Sequence, residues 1–297
     1  TGKHESVCVI DTGVDYTHSA MGNCSSSSFT GGTCSKVISG FDFVNNDDNP
    51  LDDNDHGTHV AGIVASTNET FRGIAPDANI IAIKVLNSAG SGTSANLISG
   101  IDWCINNASI FNISVISMSL GTSILNSSHC DNDDTALTSS IANAIARNIS
   151  VIAATGNAGS TTGIASRACI TNVTAAGGTT KADAMDFNRN NITDLLAPGV
   201  SITSAKRGGG FVSQSGTSMS APHVAGAFAL LRQYRKLEQN IILTPAQIQD
   251  VLNDTGKQIT DSSLIFSRIN IFAALLSLDA IKPNITVIIA IKNLKAF

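Results

Sequence analysis

Gly216–Gly226 reads G-T-S-M-S-A-P-H-V-A-G, which puts a hydroxyl, Ser218, at the mouth of an apolar helix straight after a Gly-Thr turn. Pro222 follows inside that helix, where proline removes a backbone hydrogen bond at a cost of about 3 kcal/mol. A chain that keeps a helix breaker there gives up regularity for placement. A serine at a helix N-terminus gains from the positive end of the dipole and from unpaired backbone N–H groups that can hold an oxyanion. Alone, Ser218 reads as an N-cap; two upstream motifs give it another role.

The first is V-C-V-I-D-T-G-V-D, in which Val7 to Ile10 form a short apolar run ending in Asp11. Such a run reads as a buried strand with a carboxylate at its C-terminal end, where ligand and catalytic groups gather in an open parallel sheet. D-T-G is also the active-site triplet of aspartic proteases, a class set aside because it needs two carboxylates sharing one proton. The second motif is D-H-G-T-H-V-A-G-I-V-A, residues 55–65. His56 stands in the first turn of a small-residue helix and His59 one turn on. The spacing H-x-x-H hints at a metal pair, but the glutamate of H-E-x-x-H is missing, so His59 reads as a packed core histidine.

Asp11, His56 and Ser218, in that order and each within a long motif, resemble the catalytic residues of the subtilisin-like serine proteases, the subtilase family. The resemblance covers residues 5 to about 275. It matches Asn157, in V-I-A-A-T-G-N-A-G, to the family's oxyanion asparagine. It matches S-M-S-L-G, including Ser117, Leu120 and Gly121, to the strand that pairs with the substrate backbone, and Gly90, Ser91 and Gly92 to the opposite edge. The implied activity is peptide-bond hydrolysis through an acyl-enzyme. Leu120, Ala153, Ala154 and Gly156 would wall the P1 pocket with help from Ser166–Ala168, giving an apolar or broad P1 preference. An esterase or transpeptidase on the same scaffold is the alternative, as is an inactive binding module, though the latter should lack a triad member and none is missing.

The family resemblance extends to the acidic run before His56, which matches the calcium loop of thermitase-like members at Asp42, Asn45, Asp47 and Asn49. Hard oxygen donors in one loop suit a structural Ca²⁺. The longer calcium insertion of many subtilisins is absent, since Val60 to Ser66 runs uninterrupted. The family normally carries more sequence, often a propeptide, before its first catalytic strand, so the chain is expected to be a processed or truncated catalytic domain. Its implied partners are polypeptide substrates and its own propeptide, and it is expected to be a monomer.

Composition agrees with a buried enzyme core: of 297 residues 42% are hydrophobic and 14% charged. A net charge of −5 without Lys/Arg clusters argues against nucleic acid as a partner. No apolar run reaches the roughly 18 to 20 residues of a membrane span. Cys24 and Cys34 flank a Ser/Gly-rich loop, while Cys130 and Cys169 sit in polar surroundings, so each pair is expected to form a bridge. Cys8 in a strand and Cys104 in an apolar helix are expected to be buried free thiols. Two bridges imply an oxidising, extracytoplasmic compartment, and the N-x-S/T sequons at Asn23, Asn68, Asn112, Asn172 and Asn284 point the same way.

Apolar strands at Val7–Ile10, Ile80–Val85, Val115–Met118, Val151–Ala154 and Asn172–Ala176 alternate with helical patterns at Val60–Ser66, Leu97–Asn106 and Leu137–Arg147. Helices at Ser218–Lys236 and Thr244–Asn253 follow, the second opening on Thr-Pro as N-cap and N1. This alternation predicts an α/β fold with a doubly wound, mainly parallel sheet covered by helices on both faces. The catalytic domain is expected over 1–280. Residues 281–297, with an apolar strand and basic end from Pro283, would be a C-terminal tail or the start of a missing module.

Overall fold

A computed structural model describes residues 1–280; the expectations for 281–297 lie outside the described residues. The strands are β1 (Ser6–Asp11), β2 (Val37–Asp42), β3 (Asn79–Lys84), β4 (Ile113–Met118), β5 (Leu125–Asn126), β6 (Ser150–Ala154), β7 (Ile164–Ala165), β8 (Thr174–Thr179), β9 (Leu195–Pro198), β10 (Ile202–Ala205), β11 (Phe211–Gln214), β12 (Lys257–Asp261) and β13 (Leu264–Arg268). The helices are α1 (Ser26–Thr30), α2 (His56–Ala65), α3 (Ser94–Asn106), α4 (Ala108–Phe111), α5 (Thr135–Ala146), α6 (Thr217–Gln239), α7 (Pro245–Thr255) and α8 (Ile271–Ala280).

Nine strands form one sheet in the order β12-β13-β9-β8-β6-β4-β1-β3-β2. All its pairings are parallel except the β12–β13 hairpin. From β1 the chain goes to the edge strand β2, returns to β3 beside β1, and then builds outward on the other side through β4, β6 and β8. The crevice at the carboxyl ends of β1 and β4 is therefore a topological switch point, the usual ligand site of such sheets. Asp11, the last residue of β1, lies there.

Because β1, β4, β6 and β8 are buried along their whole length, they read as continuous apolar runs without alternation. Val7, Val9, Ile80, Ala82 and Ile152 face one layer with α2 and α6. Cys8, Ile10, Ile81, Ile83 and Ile116 face the other with α3 and α5. The expected doubly wound sheet is the observed one.

The expectation of free thiols at Cys8 and Cys104 is corrected, for the two are joined in a disulfide with Cα atoms 6.5 Å apart. Cys8 points to the same face of β1 as Ile10, and Cys104 lies on the buried stripe of α3 with Leu97 and Ile101, so the sheet–helix packing brings them together. Their sequence separation of 96 hides that meeting. Cys24–Cys34 and Cys130–Cys169 are also bridged. At the β8 edge the expected strand start at Asn172 shifts to Thr174, because Asn172 takes a left-handed backbone (φ 70°) and closes the preceding turn.

Candidate active site

Asp11 is fully buried, and its Oδ1 accepts the Thr12 N–H (2.7 Å) and lies 2.7 Å from His56 Nδ1. His56 opens α2, and the close approach of that helix to β1 depends on Gly57: a Cβ there would stand 2.1 Å from Gly13 O. The Gly57 N–H donates to Thr12 Oγ1 (2.9 Å), which itself donates to Asp52 Oδ1 (2.8 Å). Asp52 Oδ2 accepts from the Thr58 N–H and hydroxyl, so this buried carboxylate bolts the first turn of α2 to the end of β1. The Asp11 carboxylate holds the His56 imidazole above its ordinary pKa, against an opposing effect of burial.

Ser218 is the second residue of α6. Pro222, four residues on, has no N–H to give the Ser218 carbonyl, and Ser119 Oγ takes that place at 2.9 Å. In return Ser218 Oγ donates to Ser119 O at 3.1 Å, rather than to His56. Catalytic hydrogen bonds often align only when substrate is bound. The reciprocal pair fixes the start of α6 against the exit of β4, which explains the proline inside the helix.

Asn157 stands beside the same turn: its Oδ1 accepts the Thr217 N–H (2.9 Å) and hydroxyl (3.1 Å). Thr217 Oγ1 also accepts the Gly156 N–H at 3.0 Å. With its oxygen held this way, the Asn157 amide presents its NH₂ away from Thr217. Gly216, at φ 151°, leaves the space that Asn157 fills, since a Cβ there would lie 3.3 Å from Asn157 Nδ2.

A cavity of about 460 Å³ runs beside His56. Gly90, Ser91, Gly92 and Thr93 line one side, Ser119, Leu120, Gly121 and Thr122 the other, and Leu97 and Arg167 also border it. Of the residues expected to bind substrate, Gly90, Ser91, Gly92, Leu120 and Gly121 are thus brought together, whereas Ser117, Ala154 and Gly156 do not line this cavity. Ser117 is corrected: it is fully buried within β4, in register with Val9 and Ile152, so the open edge begins at Ser119. Gly121 and Gly156 both face Ala165, placing β7 between the walls of a neighbouring slot.

The loop after β2 satisfies its polar groups internally. Asp42 Oδ1 accepts the Val44 and Asn45 N–H groups, Asn45 Nδ2 donates to Asp42 Oδ2 (2.8 Å), and Asp47 Oδ1 accepts the Asn49 N–H. Asn49 Oδ1 accepts from the buried Tyr16 hydroxyl. Among the described residues no group of three or more His, Cys, Asp or Glu side chains could hold a metal. His59 Nε2 bonds Ile202 O and Val212 O in the core, which lowers any claim on a metal. A second D-T-G does occur, at Asp254–Gly256, but it closes α7 with Asp254 exposed and gives Asp11 no partner carboxylate.

Thr217, Ser119, Asp52 and Arg167 were missed from sequence. Thr217 and Ser119 lie within motifs already singled out and had a positional signal; Asp52 was lost among neighbouring aspartates, and Arg167 lies within Ser166–Ala168, expected to help set the pocket, without having been singled out for its charge.

The mainly parallel sheet with helices on both faces and a crevice at its switch point defines an α/β fold of the doubly wound class. The sequence model of the subtilase family, Peptidase S8, matches residues 2–267. The chain belongs to that family, and it spans 58% to 86% of the length of the relatives described next. It is 37% identical over 257 residues to a thermophilic serine proteinase of Bacillus sp. (strain AK1), covering 85% of this chain and 58% of that protein. It is 35% identical over 274 residues to subtilisin DY of Bacillus licheniformis, covering 88% of this chain and 86% of the relative. For subtilisin E of Bacillus subtilis (strain 168) the identity is 36% over 270 residues, covering 88% of this chain but 63% of that protein. The crystal structure of a cold adapted subtilisin-like serine proteinase superposes with a TM-score of 0.72 at 35% identity, covering 88% of this chain and 85% of the other. No helix among the described residues is long and apolar enough to cross a membrane.

Proposed function

We propose that residues 1–280 form a catalytic domain that cleaves polypeptides internally through an acyl-enzyme on Ser218. The observation that carries the reading is the 2.7 Å contact between His56 Nδ1 and the fully buried Asp11, in a cavity also lined by Ser119, the residue that pins Ser218 at the first turn of its helix. Ser218 Oγ attacks the carbonyl carbon while His56 Nε2 removes its proton; Asp11 fixes the tautomer and stabilises the imidazolium. The Asn157 amide and Ser218 N–H receive the oxyanion, and His56 then protonates the leaving amine. A water molecule, deprotonated by the same imidazole, releases the acid product. Loss of such an amide costs about 100- to 1,000-fold in kcat, a magnitude measured on subtilisin itself.

The P1 pocket is assigned to Leu120, Ala153, Ala154 and Gly156, with Ala165 between Gly121 and Gly156. These side chains carry no charge, which supports an apolar or broad P1 preference. Three disulfides suit an extracytoplasmic site of action. The family resemblance supports a monomer restrained by its propeptide before activation. Ser218→Ala should lower turnover about 10⁶-fold, and a sulfonyl fluoride should label Ser218 stoichiometrically in the parent protein. Undiminished proteolysis by the purified variant would remove Ser218 from the mechanism.

Catalysis needs no metal in this scheme. A structural Ca²⁺ is assigned to the oxygens of Asp42, Asn45, Asp47 and Asn49, which otherwise hold the loop together: Asn45 bonds the Asp42 carboxylate and Asp47 accepts the Asn49 N–H. A bound ion adds about 2.7 kcal/mol at a hundredfold excess over Kd. Calcium should therefore raise the melting temperature of the inhibited protein relative to EDTA, and Asp47→Asn should shrink the rise; equal melting in both solutions would refute the assignment.

A further inference from the structure

The cavity beside His56 holds a cation that peptide-bond chemistry does not use. Arg167 follows β7 with its backbone at φ 90°, a region that side chains other than glycine's rarely adopt. Its side chain borders the cavity together with Leu97, Leu120 and Gly121. Nη2 donates to Ser94 Oγ, at the first residue of α3, at 3.1 Å. Nε is buried without a hydrogen-bond partner. The ion pairs of the described residues do not include Arg167. Asp134 is the carboxylate that acts on it, but its Oδ1 caps α5 by accepting the Leu137 N–H (3.0 Å). Burial holds the guanidinium below its ordinary pKa, with Asp134 opposing. A partly desolvated guanidinium that bonds Ser94 through Nη2, has an unpartnered Nε and makes no ion pair closer than its interaction with Asp134 favours an anion beside it, and its planar fork matches a carboxylate.

An extended substrate strung between Gly90–Gly92 and Ser119–Gly121 turns alternate side chains toward the cavity. With P2 set against His56, the next side chain on that face is P4, roughly 6.8 Å along the strand, which would lie toward Leu97, Leu120 and Arg167 of the same cavity. We infer that Arg167 makes this end of the cleft a receptor for a carboxylate, so that the protein selects substrates with Glu or Asp at P4. The inference rests on the endopeptidase reading and narrows its substrate class.

Four otherwise identical fluorogenic peptides, with Glu, Gln, Ala or Leu at P4, test it; Gln separates charge from length. kcat/KM for Glu should exceed that for Gln by about tenfold, the scale of one charge-assisted hydrogen bond partly screened by water. Arg167→Gly, which suits the positive φ, should bring the Glu:Gln ratio to about one and favour the Leu peptide. Arg167→Lys should keep part of the ratio. Equal rates for Glu and Gln in the parent protein, or a ratio that survives Arg167→Gly, would overturn the inference. If none of the peptides is cut, the endopeptidase reading fails by itself. Calorimetric titration of the Glu and Gln peptides into Ser218→Ala protein then decides the subsite: tighter binding of Glu supports it, and equal or absent binding overturns it.

Discussion

In the proposed mechanism a single imidazole sets the pH response. There His56 must be neutral to accept the Ser218 proton, and the Asp11 carboxylate holds its pKa above the ordinary 6.5. The acid limb of kcat/KM should therefore have its midpoint above 6.5. Asp11→Asn removes the main cause of the rise and leaves burial, which acts downward, so the limb should move to lower pH while kcat falls about 10⁴-fold. A limb that stays in place in the variant would mean another group titrates there. The linkage runs in the same sense for stability. Because the folded-state pKa is raised, the Asp11–His56 attraction is fully present below the unfolded pKa and is lost as pH rises through the folded one. Melting of sulfonylated protein against pH reads this directly, with Asp11→Asn expected to flatten that part of the curve.

At the scale of elements, α6 and β4 depend on each other through Ser119 and Pro222. Ser119→Ala strands the Ser218 carbonyl inside the helix and should cost about 1 kcal/mol in denaturant unfolding. Pro222→Ala restores an N–H four residues on, so the loss from Ser119→Ala should be smaller in that background. A double-mutant cycle isolates this coupling; strictly additive effects would separate the two residues. The segment also marks what the sequence made legible. The helix, its serine and the need to justify its proline were readable from one stretch, because spacing along a helix is local information. The strands with continuous apolar runs were readable for the same reason. The partner that justifies the proline was not, because Ser119 lies 99 residues away. The short strands β9 to β13 went unread because four or five residues, apolar as in β9 or polar as in β12, show no period to read, and β2 because it runs into the acidic loop. Cys8 and Cys104 were separately placed in the right kind of element, yet their pairing needed the register of sheet against helix.

The whole molecule is cross-linked over three very different spans, with sequence separations of 96, 39 and 10. Loop-closure entropy assigns these about 4.7, 3.9 and 2.7 kcal/mol when strain is absent. Paired Cys→Ala variants of inhibited protein should lose stability in that order, Cys8–Cys104 most and Cys24–Cys34 least. The reverse order would show that packing of the sulfurs outweighs chain entropy. Under the proposed activity, the longest link has a consequence for a protein whose own copies are among the polypeptides it meets in solution. Its exposed loops before α2 and α3 fall between Cys8 and Cys104. A copy nicked there remains one covalent body, with the fragment that carries Cys8 and Asp11 still tethered through Cys104 to the rest. Self-digestion at those loops therefore shows as an unchanged band on a gel run without reductant and as two fragments once thiol is added.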